Sequence, residues 1–155
     1  MEHSSQVSDG IPNPGVPPSR SGTLPDHWRL ARAAHVDLLL MGMPRVNLLL
    51  IAPDGVVRFV LESLLLDLHE PIVRWRPGER LALPPTEESG TLLLHDAGAL
   101  SADEQLRLLD WLERVDGRTQ VVSTSSTALL PQVRAGSFIE TLYYRLNTVC
   151  VDVTS

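Results

Sequence analysis

Gly90-Thr91-Leu92-Leu93-Leu94-His95-Asp96-Ala97-Gly98-Ala99-Leu100 opens a stretch that runs on to Asn147 and decides the architecture of this chain. Leu92 to His95 is a short apolar run ending in polar residues, which predicts a buried strand. Ser101 followed by Glu104 is a capping box: each side chain can satisfy a backbone amide at the other's position. A helix therefore opens there, with Leu106, Leu109, Trp111, Leu112 and Val115 as its buried side, and Gly117 closes it. Val121 to Thr124 and Val149 to Val153 are two further apolar runs. Strand, helix and strand in this alternation imply a parallel sheet covered by helices.

Upstream, Val46 to Ile51 is a compact strand candidate. Val57, Val60, Leu61, Leu64, Leu65 and Leu68 recur at helical spacing, with Arg58, Glu62 and Asp67 mostly off that face, so a helix is predicted over Val56 to Leu68. Pro71 stops it. Between that helix and the strand at Leu92 there is no room for a crossover helix. Pro77-Gly78 suits the centre of a type II turn, because proline fixes the first φ and glycine accepts a positive second. A β-hairpin or paired extended segment is predicted over Ile72 to Leu83.

Asp26 can cap a helix over His27 to Leu40, with Trp28, Leu30, Ala31, Ala34 and Leu38 as its apolar stripe. Residues 1–25 hold Pro12, Pro14, Pro17, Pro18 and Pro25 among serines and glycines. Such a composition buries too little apolar surface to order itself, so this Pro/Ser-rich segment is read as a disordered tail and residues 26–155 as one domain. The tail lacks the basic start and apolar core of a secretory signal. Val36 to Ala52 is apolar but is interrupted by Asp37, Pro44, Arg45 and Asn47, and charges at membrane depth cost about 2.5–3.5 kcal/mol each. A soluble cytoplasmic protein is the expectation.

With 155 residues, 43% of them hydrophobic, there is material for one packed domain and little more. A net charge of −6 argues against general affinity for a phosphate backbone, which rewards basic clusters, so no direct nucleic-acid binding is expected. The single cysteine, Cys150, excludes an internal disulfide or a cysteine metal site and reads as a small core hydrophobe. His3, His27, His35 and His69 show no ligand spacing, and no metal site is predicted.

The quoted stretch, continued through Gln105 to Glu113, Val121-Val122-Ser123-Thr124-Ser125-Ser126 and Gly136-Ser137-Phe138-Ile139-Glu140-Thr141-Leu142-Tyr143-Tyr144-Arg145-Leu146-Asn147, resembles the AAA+ domain of the bacterial sigma-54-dependent transcriptional activators. That family reads GTLFLDEIGEL, an LQxxLLRVLQ helix, a VRxIAATN strand and GxFRxDLYYRLNV, in the same order and at the same spacing. The resemblance covers roughly residues 46–153 and is strongest after Gly90. It implies an α/β fold, the three-layer parallel sheet of a P-loop NTPase with helices on both faces, and the Walker-like strand beside the sensor strand near the centre. Ser155 comes before the family's helical lid and DNA-binding helix-turn-helix, so a core lacking the lid is expected. The family's GAFTGA loop, which touches the sigma factor, has no counterpart in this sequence, and direct sigma-54 contact by that route is not expected.

Residue by residue, the family's phosphate loop falls on Ala52-Pro53-Asp54-Gly55-Val56-Val57-Arg58-Phe59. Its chemistry needs glycines that turn backbone N–H groups toward phosphates, and a lysine that reaches the outer oxygens. Here Val57 replaces the glycine before the lysine position and Arg58 replaces the lysine. The segment is either an altered phosphate cradle or a plain strand-to-helix turn. The Walker B positions read His95 and Asp96, and histidine is a poor ligand for oxygen-seeking Mg²⁺. The sensor positions are Ser125 and Ser126, and one of two interface arginines survives as Arg145, an arginine-finger candidate or the partner of a local carboxylate. Tyr143 and Tyr144 read as packing residues with one hydroxyl at the surface.

The resemblance therefore implies a catalytically degenerate AAA+ core with no catalytic residue and no cofactor. Such a core would act in transcriptional regulation through contacts with an intact activator, with itself or with another signalling protein. The alternative is an ATP-binding switch or slow ATPase, using ATP or ADP with Mg²⁺, in which Arg58 and Asp96 substitute for the lost letters.

Overall fold

The computed structural model describes residues 45–152. The proposed tail and the helix predicted over His27 to Leu40 lie outside the described residues. Five strands form one sheet: β1 (Leu48–Ile51), β2 (Ile72–Trp75), β3 (Gly90–Leu94), β4 (Thr119–Ser125) and β5 (Val149–Asp152). Their spatial order is β2-β3-β4-β1-β5, and every pairing is parallel. Among the described residues the helices are α1 (Asp54–Leu64), α2 (Ala102–Arg114), α3 (Leu130–Arg134) and α4 (Glu140–Leu146), with a 3-10 turn over Ala97–Ala99. No helix among the described residues is long and apolar enough to cross a membrane.

Strand alternation divides the core into two layers. Leu48, Leu50, Ala52, Leu93 and Val122 face α1, which buries Val57, Leu61 and Leu64 against them. Leu49, Ile51, Leu92, Leu94 and Val121 face the opposite way, onto Leu108, Trp111 and Leu112 of α2 and Leu142 and Leu146 of α4. Fully burying one such side chain stabilises by roughly 1.5–3 kcal/mol. A parallel sheet covered by helices is the architecture expected from the alternation of elements, and β3 beside β4 near its centre is the order that the resemblance implies.

α1 begins two residues earlier than the periodicity predicts, because its first turn, Asp54-Gly55, needs no apolar face. It ends at Leu64 rather than Leu68. Asp67 N donates to Leu64 O at 2.9 Å, tightening the last turn, while Leu68 is still buried beyond the helix.

The Pro77-Gly78 turn forms: Glu79 N donates to Arg76 O at 3.0 Å and Gly78 has φ +89°. The hairpin does not, because the chain after the turn never pairs back and β2 instead bonds in parallel to β3. Its route is held by side chains that satisfy its backbone carbonyls. Trp75 Nε1 donates to Glu79 O at 3.0 Å, Arg107 Nη2 to Leu81 O at 3.1 Å and Trp111 Nε1 to Pro84 O at 2.7 Å.

α2 carries the capping box, with Ser101 Oγ accepting from Glu104 N at 3.2 Å and Glu104 Oε2 accepting from Ser101 N at 2.8 Å. Its buried stripe includes Gln105, Leu108, Trp111 and Leu112, so the predicted core residue Leu106 is turned to solvent, 57% exposed. Gln105 fits because both of its polar atoms are hydrogen-bonded: Nε2 donates to Leu100 O and Ser137 O, and Oε1 accepts from Ile139 N.

Cys150 also departs from the core reading, since it is exposed. β5 is an edge strand on which Val149 and Val151 pack toward α1 while Cys150 and Asp152 alternate onto the uncovered side. Partial burial and, secondarily, the Asp152 carboxylate push its thiol pKa up from 9.0.

Candidate functional site

A cleft of about 540 Å³ opens at the carboxyl ends of β1, β3 and β4, on the face that carries α1. Parallel α/β sheets hold ligands at this end. Its polar lining includes Arg58 and Glu62 from α1, Arg74 and Arg76 from β2 and the residues after it, His95 and Thr124.

The connection from β1 to α1 is only Ala52-Pro53. Pro53 caps the helix with extended backbone (φ −56°, ψ 149°), and its carbonyl accepts from Val56 N and Val57 N, both at 2.9 Å. Those amides are spent on the helix. Gly55 is absent from the residues with left-handed φ, which are Asp96, Asp116, Gly78, Gly117 and Gly136 among the described residues. A Cβ on Gly55 would meet nothing within 4 Å. Val57 is buried between α1 and the sheet, whereas Asp54 and Arg58 are exposed at the cleft.

Beyond β3 the chain turns sharply. Asp96 adopts φ 53°, and its N–H donates to Thr124 Oγ1 at 3.1 Å. His95 stays beside the sheet, its N–H bonded to Trp75 O at 3.0 Å, and it borders the cleft, with its Nε2 buried and unpartnered. Desolvation lowers its pKa from 6.5, and Arg76 and then Arg74 lower it further, against an opposing pull from Glu79. A histidine whose folded pKa lies below its unfolded value binds its proton less readily when folded. Charging it costs stability as pH falls below 6.5.

The cleft thus assembles Asp54, Val57, Arg58, His95, Asp96 and Ser126. Ser125, the other sensor position, turns away from it: its hydroxyl donates to Thr127 O at 2.6 Å. Arg145 lies at the opposite end of the sheet, beside Asn47, Thr119 and Thr148 at the amino ends of β1, β4 and β5. Its guanidinium forms no ion pair among the described residues; the one described pair is Arg114–Asp110. The chain therefore cannot bring Arg145 to its own cleft.

Sequence reasoning missed Arg74, Arg76 and Thr124. A signal existed for the arginines, since residues two apart on a strand share a face. It was hidden by the hairpin reading of that segment. Among the described residues no three His, Cys, Asp or Glu side chains gather to hold a metal ion.

Residues 40–155 match the family model of the sigma-54 interaction domain. The chain belongs to the sigma-54 interaction domain family. It is 39% identical over 77 residues to the Nif-specific regulatory protein of Enterobacter agglomerans, covering 43% of this chain and 15% of that protein. Against the transcriptional regulatory protein ZraR of Escherichia coli K12 it is 34% identical over 79 residues, 44% of this chain and 18% of the relative.

Among solved structures, this sigma-54 interaction domain superposes on NtrX from Brucella abortus in complex with ATP with a TM-score of 0.63. Identity there is 18%, over 82% of this chain and 36% of NtrX. The P-loop NTPase domain of a sigma-54 activator from E. coli matches at TM-score 0.50 and 17% identity, over 71% of this chain and 98% of that one. These likenesses establish the P-loop NTPase fold. The matched stretch spans less than a fifth of the length of each curated regulator.

Proposed function

We propose that this sigma-54 interaction domain is a catalytically degenerate AAA+ core, cytoplasmic, that acts in transcriptional regulation through protein–protein contact. The first turn of α1 carries the reading. A phosphate cradle needs backbone amides turned toward the ligand, and here the Val56 and Val57 amides are both committed to Pro53 O.

Three further observations support it. Gly55 does not use a left-handed conformation. Val57 belongs to the core beneath the helix, so its side chain cannot be dispensed with to make room for phosphates. His95 holds the position where the family's metal-side aspartate falls, and its lowered pKa makes it a neutral ring at pH values above 6.5. The residues present do not fit Mg²⁺–nucleotide. The fold that remains is a scaffold whose surfaces meet a partner: an activator ring, a second copy or another signalling protein.

Calorimetric titration of the full chain with ATP and ADP, with and without Mg²⁺, tests this. The expected result is no saturable heat at millimolar nucleotide with the protein folded, and no thermal stabilisation of the kind that a ligand gives as RT ln(1 + [L]/Kd). Saturable micromolar binding would overturn the reading in favour of a nucleotide-controlled switch.

A further inference from the structure

The cleft has exchanged one kind of polarity for another. Arg74 and Arg76 are two apart on an edge strand and its extension, and both line the cleft, as do Arg58 on α1 and His95 at the end of β3. None of the three guanidiniums makes an ion pair or side-chain hydrogen bond among the described residues, where Arg114–Asp110 is the one salt bridge. The buried Nε2 of His95 is likewise without a partner, and an orphaned buried polar atom costs about 1–3 kcal/mol until something satisfies it. Three guanidiniums and an imidazole thus line one cleft.

Acidic groups are present too. Asp54 and Glu62 are exposed on α1, and Asp96 is exposed after β3. At the inner end the arginines prevail, since Arg76 and Arg74 both act on the imidazole against Glu79 alone. Leu61, Leu65 and Leu93 form an apolar wall beside the charged groups.

We infer that this cleft is a metal-independent site for a dianionic oxyanion, free or as the end group of a small organic phosphate, held between Arg58, Arg74, Arg76 and His95. Guanidinium forks match tetrahedral and planar oxyanions in pairs of parallel hydrogen bonds and need no bridging cation. His95 completes the set as an imidazolium, which the incoming negative charge favours. Anion binding therefore takes up a proton. The cleft's volume leaves room for an organic body along Leu61, Leu65 and Leu93. Three of the four groups come from β2 and from the residues just after β2 and β3, not from the turn before α1, so the site does not depend on a phosphate loop. It stands beside the proposed loss of metal–nucleotide chemistry: binding of Mg²⁺–ATP would sink that proposal, whereas failure of the oxyanion to bind would sink only this one.

The test is calorimetric titration of the full chain in chelator at constant ionic strength, with inorganic phosphate, phenyl phosphate and sulfate. Saturable binding without metal is expected, at least tenfold weaker in Arg74→Gln/Arg76→Gln and unchanged in Arg80→Gln, an exposed neighbour outside the cleft. Phenyl phosphate binding more tightly than phosphate assigns the site to an ester; equal affinities assign it to the free ion. Sulfate remains a dianion while histidine titrates, so its affinity should rise as pH falls through the imidazole range, and His95→Gln should flatten that rise. No saturation in chelator, a requirement for Mg²⁺, full affinity in the double arginine variant, or a pH-independent sulfate affinity in the unaltered chain would each overturn the inference.

Discussion

Gly55 and Gly90 are the two glycines whose roles the geometry separates most sharply. At Gly90 a Cβ would sit 2.5 Å from Pro71 O, a backbone atom that cannot swing aside. Thr91 N also donates to that carbonyl at 3.0 Å, so β3 is held close to the chain entering β2. Gly90→Ala should therefore destabilise by roughly 2–3 kcal/mol, as overpacking does. Gly55 lies in the first turn of α1 with open space around it. Gly55→Ala should stabilise by about 0.5–1 kcal/mol, the helix-propensity difference. Chemical denaturation of the two variants reads both signs. A destabilising Gly55→Ala would mean that the glycine serves a conformation other than this helix turn, and would revive the phosphate-cradle reading.

Among elements, α2 was the most legible and the segment after α1 the least. A capping box is a local device, written in two residues three apart, and its two hydrogen bonds form as read. Removing it with Ser101→Ala should cost about 1 kcal/mol, the ordinary worth of a helix N-cap. Thermal unfolding at fixed pH would show it, and an unchanged midpoint would mean that the tertiary contacts of α2 alone position the helix start. The stripe on the same helix was harder to read. Leucine looks like core wherever it stands, but Gln105 holds the buried position through three hydrogen bonds and leaves Leu106 outside. Over Ile72 to Leu83 the hairpin alternative failed for another reason, while Ile72–Trp75 is a paired extended segment. The Pro77-Gly78 turn is local and was correct, yet a turn does not say which strand is the neighbour. Here parallel pairing with β3, fifteen or more residues away in sequence, won over the return strand. Neither α3 nor α4 was assigned, because each is too short to show a helical period.

At the scale of the whole molecule, the layer architecture was readable because the central strands are short, largely apolar runs buried on both faces, with amphipathic helices between them. The site was readable only in part. The positions around the turn before α1 and after β3 align with the family's site positions, although their letters have changed, whereas Arg74 and Arg76 reach the cleft only through the parallel placement of β2, a long-range fact. The fold also sets the two ends of the sheet apart. The cleft lies at the carboxyl ends of the strands and Arg145 at their amino ends. If Arg145 acts on a cleft at all, it must be a neighbour's, and a contact between such unlike ends is heterologous, head to tail. The backbone there is anchored, since Arg145 O accepts from Asn47 Nδ2 at 2.9 Å and so ties α4 to the chain entering β1, while the side chain stays exposed. If protein contact is this domain's mode of action, Arg145→Ala should lower recovery of a partner or of a second copy at least tenfold in co-purification and sedimentation. Its unfolding midpoint should stay within the small range of surface substitutions, about 0.5 kcal/mol. Equal recovery with the variant would remove this end of the sheet from the interface, and loss of stability together with recovery would show that the residue acts through the fold instead.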